Sequence, residues 1–164
     1  MKSILEKLVN DIHEIYDIKV PVNMNEVVEK IGGSIEYSKS QTNRIIRTNK
    51  GFIISIVHKK DKYLEKISIT QEIAILFLIY GYRINEDRWN NKEINEENLT
   101  LEQINAINYF SYAFLMPKNI FIKVVKENTV DGYVKMKKVA EYFDVSVSEI
   151  FCRGKDIGIF KHFQ

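Results

Sequence analysis

The spacing of apolar side chains changes along the 164-residue chain and first predicts two amphipathic helices followed by a small sheet. Residues 3–16 and 23–31 repeat apolar positions at helical spacing, and Gly32-Gly33 ends the second helix. The pattern then changes to short β-rich runs, at 34–38, 44–48 and 52–57. Because Asn49-Lys50-Gly51 suits a hairpin connection, we expect an antiparallel sheet of about three strands.

A long apolar run follows the sheet and predicts a buried helix. It extends from Ile69 to Tyr82, and Ser68 with Gln71 gives the S-x-x-Q pattern of a capping box. Residues 83–99 are polar, lean acidic and show no period, so we expect a loop there. Two further capping-box pairs, Thr100–Gln103 and Ser146–Glu149, open later helices, and the predicted helices lie at 100–117, 118–127, 135–143 and 147–153.

Composition and charge narrow the class of protein. The net charge of +2 is too small to argue for a nucleic-acid partner. Cys152 is the only cysteine, which excludes an internal disulfide and fits a reducing compartment. The longest apolar run, from Ile73 to Tyr80, is too short to span a bilayer. We therefore expect a cytoplasmic protein without a membrane partner.

Five motifs occur in an order that resembles the ImmA/IrrE family of zinc peptidases over roughly residues 20–160. The motifs are Pro21-Val22, the segment 66–75 (K-I-S-I-T-Q-E-I-A-I), Asn108-Tyr109-Phe110-Ser111, Leu115-Met116-Pro117 and the segment 139–146 (V-A-E-Y-F-D-V-S). Active members carry R-F-T-x-A-H-E-x-G-H in place of the second motif and E-A-N-x-F-A ahead of L-M-P. The resemblance implies a mostly helical α+β fold with a zincin-like helix pair over residues 1–130. It also implies a helix-turn-helix-like segment at 131–164.

The resemblance also assigns site residues, and it predicts that the zinc site is lost. In H-E-x-x-H, two His one helical turn apart hold zinc and the Glu acts as general base on metal-bound water. The two His positions fall on Gln71 and Ile75, and the Glu ligand of the second helix falls on Ala106. Only the base, Glu72, remains as a vestige. We therefore expect no metal, no cofactor and no catalytic residue of the family mechanism.

The remaining candidate residues have plainer interpretations. None of the three histidines, His13, His58 and His162, forms an H-x-x-x-H pair; we expect His13 and His58 to be exposed and His162, in the tail, to be disordered or exposed. Taken alone, Glu72 fits a residue in the first turn of a helix, where a carboxylate favours the helix dipole. Ile75 is predicted to be buried, so that packing fills the former ligand position.

Three hypotheses for function follow. The first is a catalytically inactive pseudo-peptidase that acts by protein binding, as an antirepressor or similar regulator of a helix-turn-helix repressor of a phage or mobile element. The second is a regulator that contacts DNA through residues 135–153, although its second helix offers only Arg153 as a base. The third is an enzyme that uses another site, with Cys152 as nucleophile.

Overall fold

The computed structural model describes residues 1–160 and has an α+β fold. Its elements, in chain order, are α1 (Lys2–Ile15), α2 (Met24–Ile31), β1 (Gly33–Ser38), β2 (Arg44–Arg47), β3 (Phe52–Val57), α3 (Lys62–Leu78), α4 (Glu86–Asn90), α5 (Leu101–Leu115), α6 (Lys118–Glu127), β4 (Thr129–Val130), β5 (Tyr133–Val134), α7 (Met136–Phe143) and α8 (Val147–Asp156). Along residues 1–160, none of these helices combines the length and apolar character that crossing a membrane requires. The predicted α+β class is confirmed.

The chain forms two compact units, and the one built from Met24–Ser111 contains the three-stranded sheet. The strand order is β1-β3-β2, with β2 antiparallel to β3 and β1 parallel to it. The prediction of a purely antiparallel sheet is therefore wrong for β1. The 48–51 turn, closed by the Thr48 amide on the Gly51 carbonyl (2.9 Å), fixes β2 beside β3. The remaining edge of β3 is left to β1, which runs in the same direction.

Helix α3 begins earlier than the apolar pattern indicates, because its cap is Asp61 and not Ser68. The Asp61 carboxylate accepts hydrogen bonds from the amides of Tyr63 (2.8 Å) and Leu64 (3.3 Å). Ser68 lies inside the helix, and its hydroxyl donates to the Leu64 carbonyl (2.7 Å). The predicted Ser68–Gln71 capping box is therefore wrong. Glu72 consequently lies in the middle of α3, so the first-turn interpretation of Glu72 is wrong as well.

The second unit combines Met1–Asn23 with the chain from Tyr112 onward. Its α7 and α8 are joined through Asp144, which has a left-handed backbone (φ 52°), and the predicted Ser146–Glu149 capping box is present. This is the helix–turn–helix arrangement predicted for the C-terminal segment. The short hairpin of β4 and β5 was not predicted. The proposed boundary between residues 1–130 and 131–164 stays a prediction.

Candidate functional site

The middle of α3 is almost fully buried, which is unusual for a segment that carries polar side chains. Thr70 is fully buried, Glu72 is 5% exposed, and Ile75 is 7% exposed. The predicted burial of Ile75 is thus confirmed. Isoleucine at this position contributes apolar packing to the core and offers no donor atom to an ion.

Gln71 is half-buried and links α3 to α5. Its side-chain amide nitrogen donates to the side-chain oxygen of Asn108, at 3.2 Å. Asn108 belongs to the motif that precedes Met116-Pro117, and Ala106, one half-turn earlier on α5, is half-buried. The two motif-bearing helices are therefore joined by an amide pair near the expected ligand positions. That Gln71, Ile75 and Ala106 converge on a single point stays a prediction.

Glu72 forms a carboxyl pair with Glu96, a residue of the polar loop that follows α3. Burial is the main cause that raises the pKa of Glu72, to about 9, and the charge of Glu96 and a hydrogen bond with it add to the effect. Burial also raises the pKa of Glu96, while hydrogen bonds from Glu72, from the Ile45 amide and from Tyr80 oppose that rise. Two carboxyls can share a hydrogen bond only when one is protonated. Burial and the neighbouring Glu96 carboxyl therefore favour the protonated form of Glu72, which can donate the shared hydrogen bond to Glu96.

The groups around the carboxyl pair explain which of the two can carry the charge. Glu96 Oε1 accepts a hydrogen bond from the Ile45 amide at 2.6 Å. Tyr80 also hydrogen-bonds Glu96, and burial, together with the nearby carboxylates, raises the pKa of Tyr80 to about 12. Glu72 Oε2, in contrast, is buried and meets no amide, hydroxyl or cationic donor among residues 1–160. A charged Glu72 would thus be uncompensated, so the protonated form is favoured.

These residues do not fit the zinc ion that the resemblance associates with such a helix pair. Zinc in proteins takes nitrogen, thiolate or carboxylate donors in a tetrahedral arrangement. Ile75 and Ala106 carry no donor, and the Gln71 amide is engaged with Asn108. Within residues 1–160, no three His, Cys, Asp or Glu side chains stand close enough together to hold a metal ion. We therefore derive no catalytic step through a metal.

The histidines only partly follow the prediction of surface positions. His58 is exposed and contacts Glu65 Oε1 at 3.3 Å. His13 is half-buried, which corrects the prediction of an exposed residue; its Nε2 lies 2.9 Å from the Phe114 carbonyl, and its ring packs edge-on against Phe114. Burial lowers the pKa of His13 to about 4. His162 lies outside the described residues.

Cys152 is half-buried, and its thiol interacts with the hydroxyl of Tyr112. Burial is the main cause that raises the pKa of Tyr112, and the contact with Cys152 adds to it. A phenol whose proton is held so firmly is a poor base for a thiol. Cys152 as a nucleophile stays a prediction without added support from this contact.

The described residues thus form an α+β fold in which a long buried helix follows a small sheet and is joined to a second motif-bearing helix. Residues 29–153 match the peptidase M78 family, described as an IrrE N-terminal-like domain, so the chain belongs to this family. A comparison with curated proteins gives no match. Sequence reasoning located Glu72 but missed Glu96, because five acidic residues between 83 and 97 look alike when only their sequence is considered.

Proposed function

We propose that this protein is a catalytically inactive member of its family, a pseudo-peptidase that acts in the cytoplasm by binding another protein. The observation that carries the proposal is that Glu72 is buried and hydrogen-bonded to Glu96. A general base must be a carboxylate before it can take a proton from water. The raised pKa of Glu72 keeps it protonated at neutral pH, and its hydrogen bond to Glu96 occupies the group that the family chemistry requires.

The former ligand positions support the same proposal. Water bound to zinc has a pKa near 7, whereas free water has a pKa of about 15.7. With Gln71, Ile75 and Ala106 at the ligand positions, no donor set supplies that activation. Retention of the scaffold alongside these substitutions favours a role in binding over a role in hydrolysis.

The partner we propose is a helix-turn-helix repressor encoded by the same phage or mobile element, with this protein acting as an antirepressor. The exposed side of α8 favours a protein partner over DNA. Val147 is 36% exposed and Phe151 is 37% exposed there, and Ser148 lies between them, whereas Arg153 is fully buried. Readout of bases in the major groove requires Arg, Lys, Asn or Gln near the start of the recognition helix.

The test combines the purified protein with the helix-turn-helix repressor encoded nearest to its own gene. We expect a complex by calorimetry, reduced binding of the repressor to its operator, and an intact repressor by mass spectrometry. A chelator should change none of these results. Metal-dependent cleavage of the repressor would refute the pseudo-peptidase proposal, and absence of a complex would refute the proposed partner.

A further inference from the structure

The segment 83–98, which we call the strap, belongs to the unit Met24–Ser111, and all of its residues are exposed or half-buried. It contains α4, each of whose residues is exposed or half-buried, and Ile84 is 55% exposed. Trp89, the only tryptophan of the chain, is half-buried against the Tyr82 ring, with 4.8 Å between ring centroids. Segments with little buried apolar area open at a lower free-energy cost than the elements they cover.

Arg47, the last residue of the edge strand β2, binds the main chain of the strap through its side chain. Its guanidinium donates to three strap carbonyls, which belong to Trp89 (2.6 Å), Asn91 (2.9 Å) and Ile94 (2.8 Å). The same guanidinium stacks over the Tyr80 ring, 4.7 Å from its centroid. One side chain therefore supplies three of the hydrogen bonds that hold the strap.

Glu96 provides the second attachment and brings the strap onto the buried helix. Its carboxylate accepts the outward-pointing amide of Ile45 on β2 and hydrogen-bonds Glu72 on α3. Since β2 lies at the edge of the sheet, the Ile45 amide has no neighbouring strand to bind on that side. Glu96 therefore binds the outer edge of β2 and also covers Glu72.

We infer that the strap is a detachable cover: Arg47 and Glu96 hold it closed, and its release exposes the outer edge of β2 and the carboxyl of Glu72 together. The closed strap withholds both groups from any other molecule. Arg44 and Arg47 flank Ile45 on β2, so the edge that the strap withholds is basic. The inference concerns this chain alone and does not depend on the repressor as partner.

The test compares Arg47→Gln with Lys50→Gln, a matched loss of one positive charge in the exposed turn that follows β2. Amide hydrogen exchange is measured at Ile45 and at Leu76 in α3, and carbodiimide-driven amidation of Glu72 is followed by mass spectrometry. In Arg47→Gln we expect the Ile45 amide to exchange roughly tenfold faster or more, since several hydrogen bonds are lost. Glu72 should become reactive, Trp89 fluorescence should shift to longer wavelength, and Leu76 should stay protected.

The Lys50→Gln control should match the wild type in all these measurements. Unchanged Ile45 exchange and unreactive Glu72 in Arg47→Gln would overturn the inference. If Arg47→Gln unfolds the whole unit, so that Leu76 exchanges as fast as Ile45, Glu96→Ala decides the matter. That variant removes the acceptor of the Ile45 amide while keeping the Arg47 contacts, and local opening in it supports the cover, whereas global unfolding or no change overturns it.

Discussion

Each of the two units buries an ionisable side chain, Arg153 in one and Glu72 in the other. Burial disfavours a charge, and the surroundings of the two side chains compensate for this in different ways. Arg153 is fully buried and keeps its charge: Nη1 forms an ion pair with Glu6 Oε1 (2.7 Å), Nη2 donates to Glu6 Oε2 (3.1 Å), and Nε donates to the Met116 carbonyl (2.9 Å). Glu72 is nearly as buried but faces another carboxyl, and it stays neutral by holding its proton.

The difference separates a structural site from a candidate functional one. A buried charge that is paired with a carboxylate and hydrogen-bonded to a carbonyl anchors the surrounding packing. A buried carboxyl with a strongly perturbed pKa and a like-charged neighbour is typical of functional sites. Glu72 lies at the position that the resemblance to the family matches to its general base, so this buried carboxyl pair is the candidate functional site.

The largest effect is expected from breaking the Arg153 site. Glu6→Gln removes the carboxylate that forms the ion pair with the buried guanidinium, and removal of one partner of a buried ion pair costs about 3–5 kcal/mol. The free energy of unfolding, measured in urea, should fall accordingly. The control is Asp11→Asn on the same helix, which breaks the exposed Lys7–Asp11 pair (2.7 Å) and should hardly change the free energy of unfolding. Equal effects of the two substitutions would contradict the account of Arg153 as a structural anchor.

A smaller change in the free energy of unfolding, of the opposite sign, is expected when Glu72 is substituted. Its pKa in the folded protein, about 9, lies above the ordinary value of 4.5, so between these values the folded state binds more protons than the unfolded state. The free energy of unfolding should therefore fall as pH rises through this window. Glu72→Gln keeps a neutral hydrogen-bond donor and should remove this part of the slope, so it should stabilise the protein at pH 8.5 and have almost no effect at pH 4.5.

The matched control for that experiment is Glu29→Gln, which neutralises an exposed carboxylate on α2. Its unfolding curves should keep the pH dependence of the wild type. If Glu72→Gln instead lowers stability at pH 8.5, Glu72 is charged in the folded protein, and both the proton assignment and the argument against a general base are wrong.

The elements that sequence reasoning placed well are those whose signals are local. The Thr100–Gln103 capping box predicted the start of α5, and both of its reciprocal hydrogen bonds are present (2.8 and 3.2 Å). The start of α3 was missed because Ser68 can satisfy its hydroxyl inside a helix as readily as at a cap. Periodicity identified the apolar part of α3, but its first turns are polar and depend on Asp61.

Only the part of the candidate site that lies on α3 could be predicted from the sequence. The resemblance located Glu72, and the apolar neighbours of Ile75 predicted its burial. The pairing with Glu96 depends on the path of a polar loop whose sequence shows no period. Arg47 fixes that path by hydrogen bonds to main-chain carbonyls. Because every residue has a main-chain carbonyl, the sequence does not indicate which carbonyls Arg47 binds. Which acidic residue enters the core is therefore a tertiary property.

We propose that Gln71, Ile75 and Ala106, the positions matched to the zinc ligands of the family, still converge on one point but have lost the donor atoms, and zinc titration by calorimetry is the test. The wild type is compared with the triple variant Gln71→His, Ile75→His, Ala106→Glu, with circular dichroism showing that both are folded. We predict no zinc binding by the wild type and binding of about one zinc per chain by the triple variant, since two imidazoles and a carboxylate complete a common ligand set. Stoichiometric zinc on the wild type, or a folded triple variant with no gain in affinity, would contradict the account.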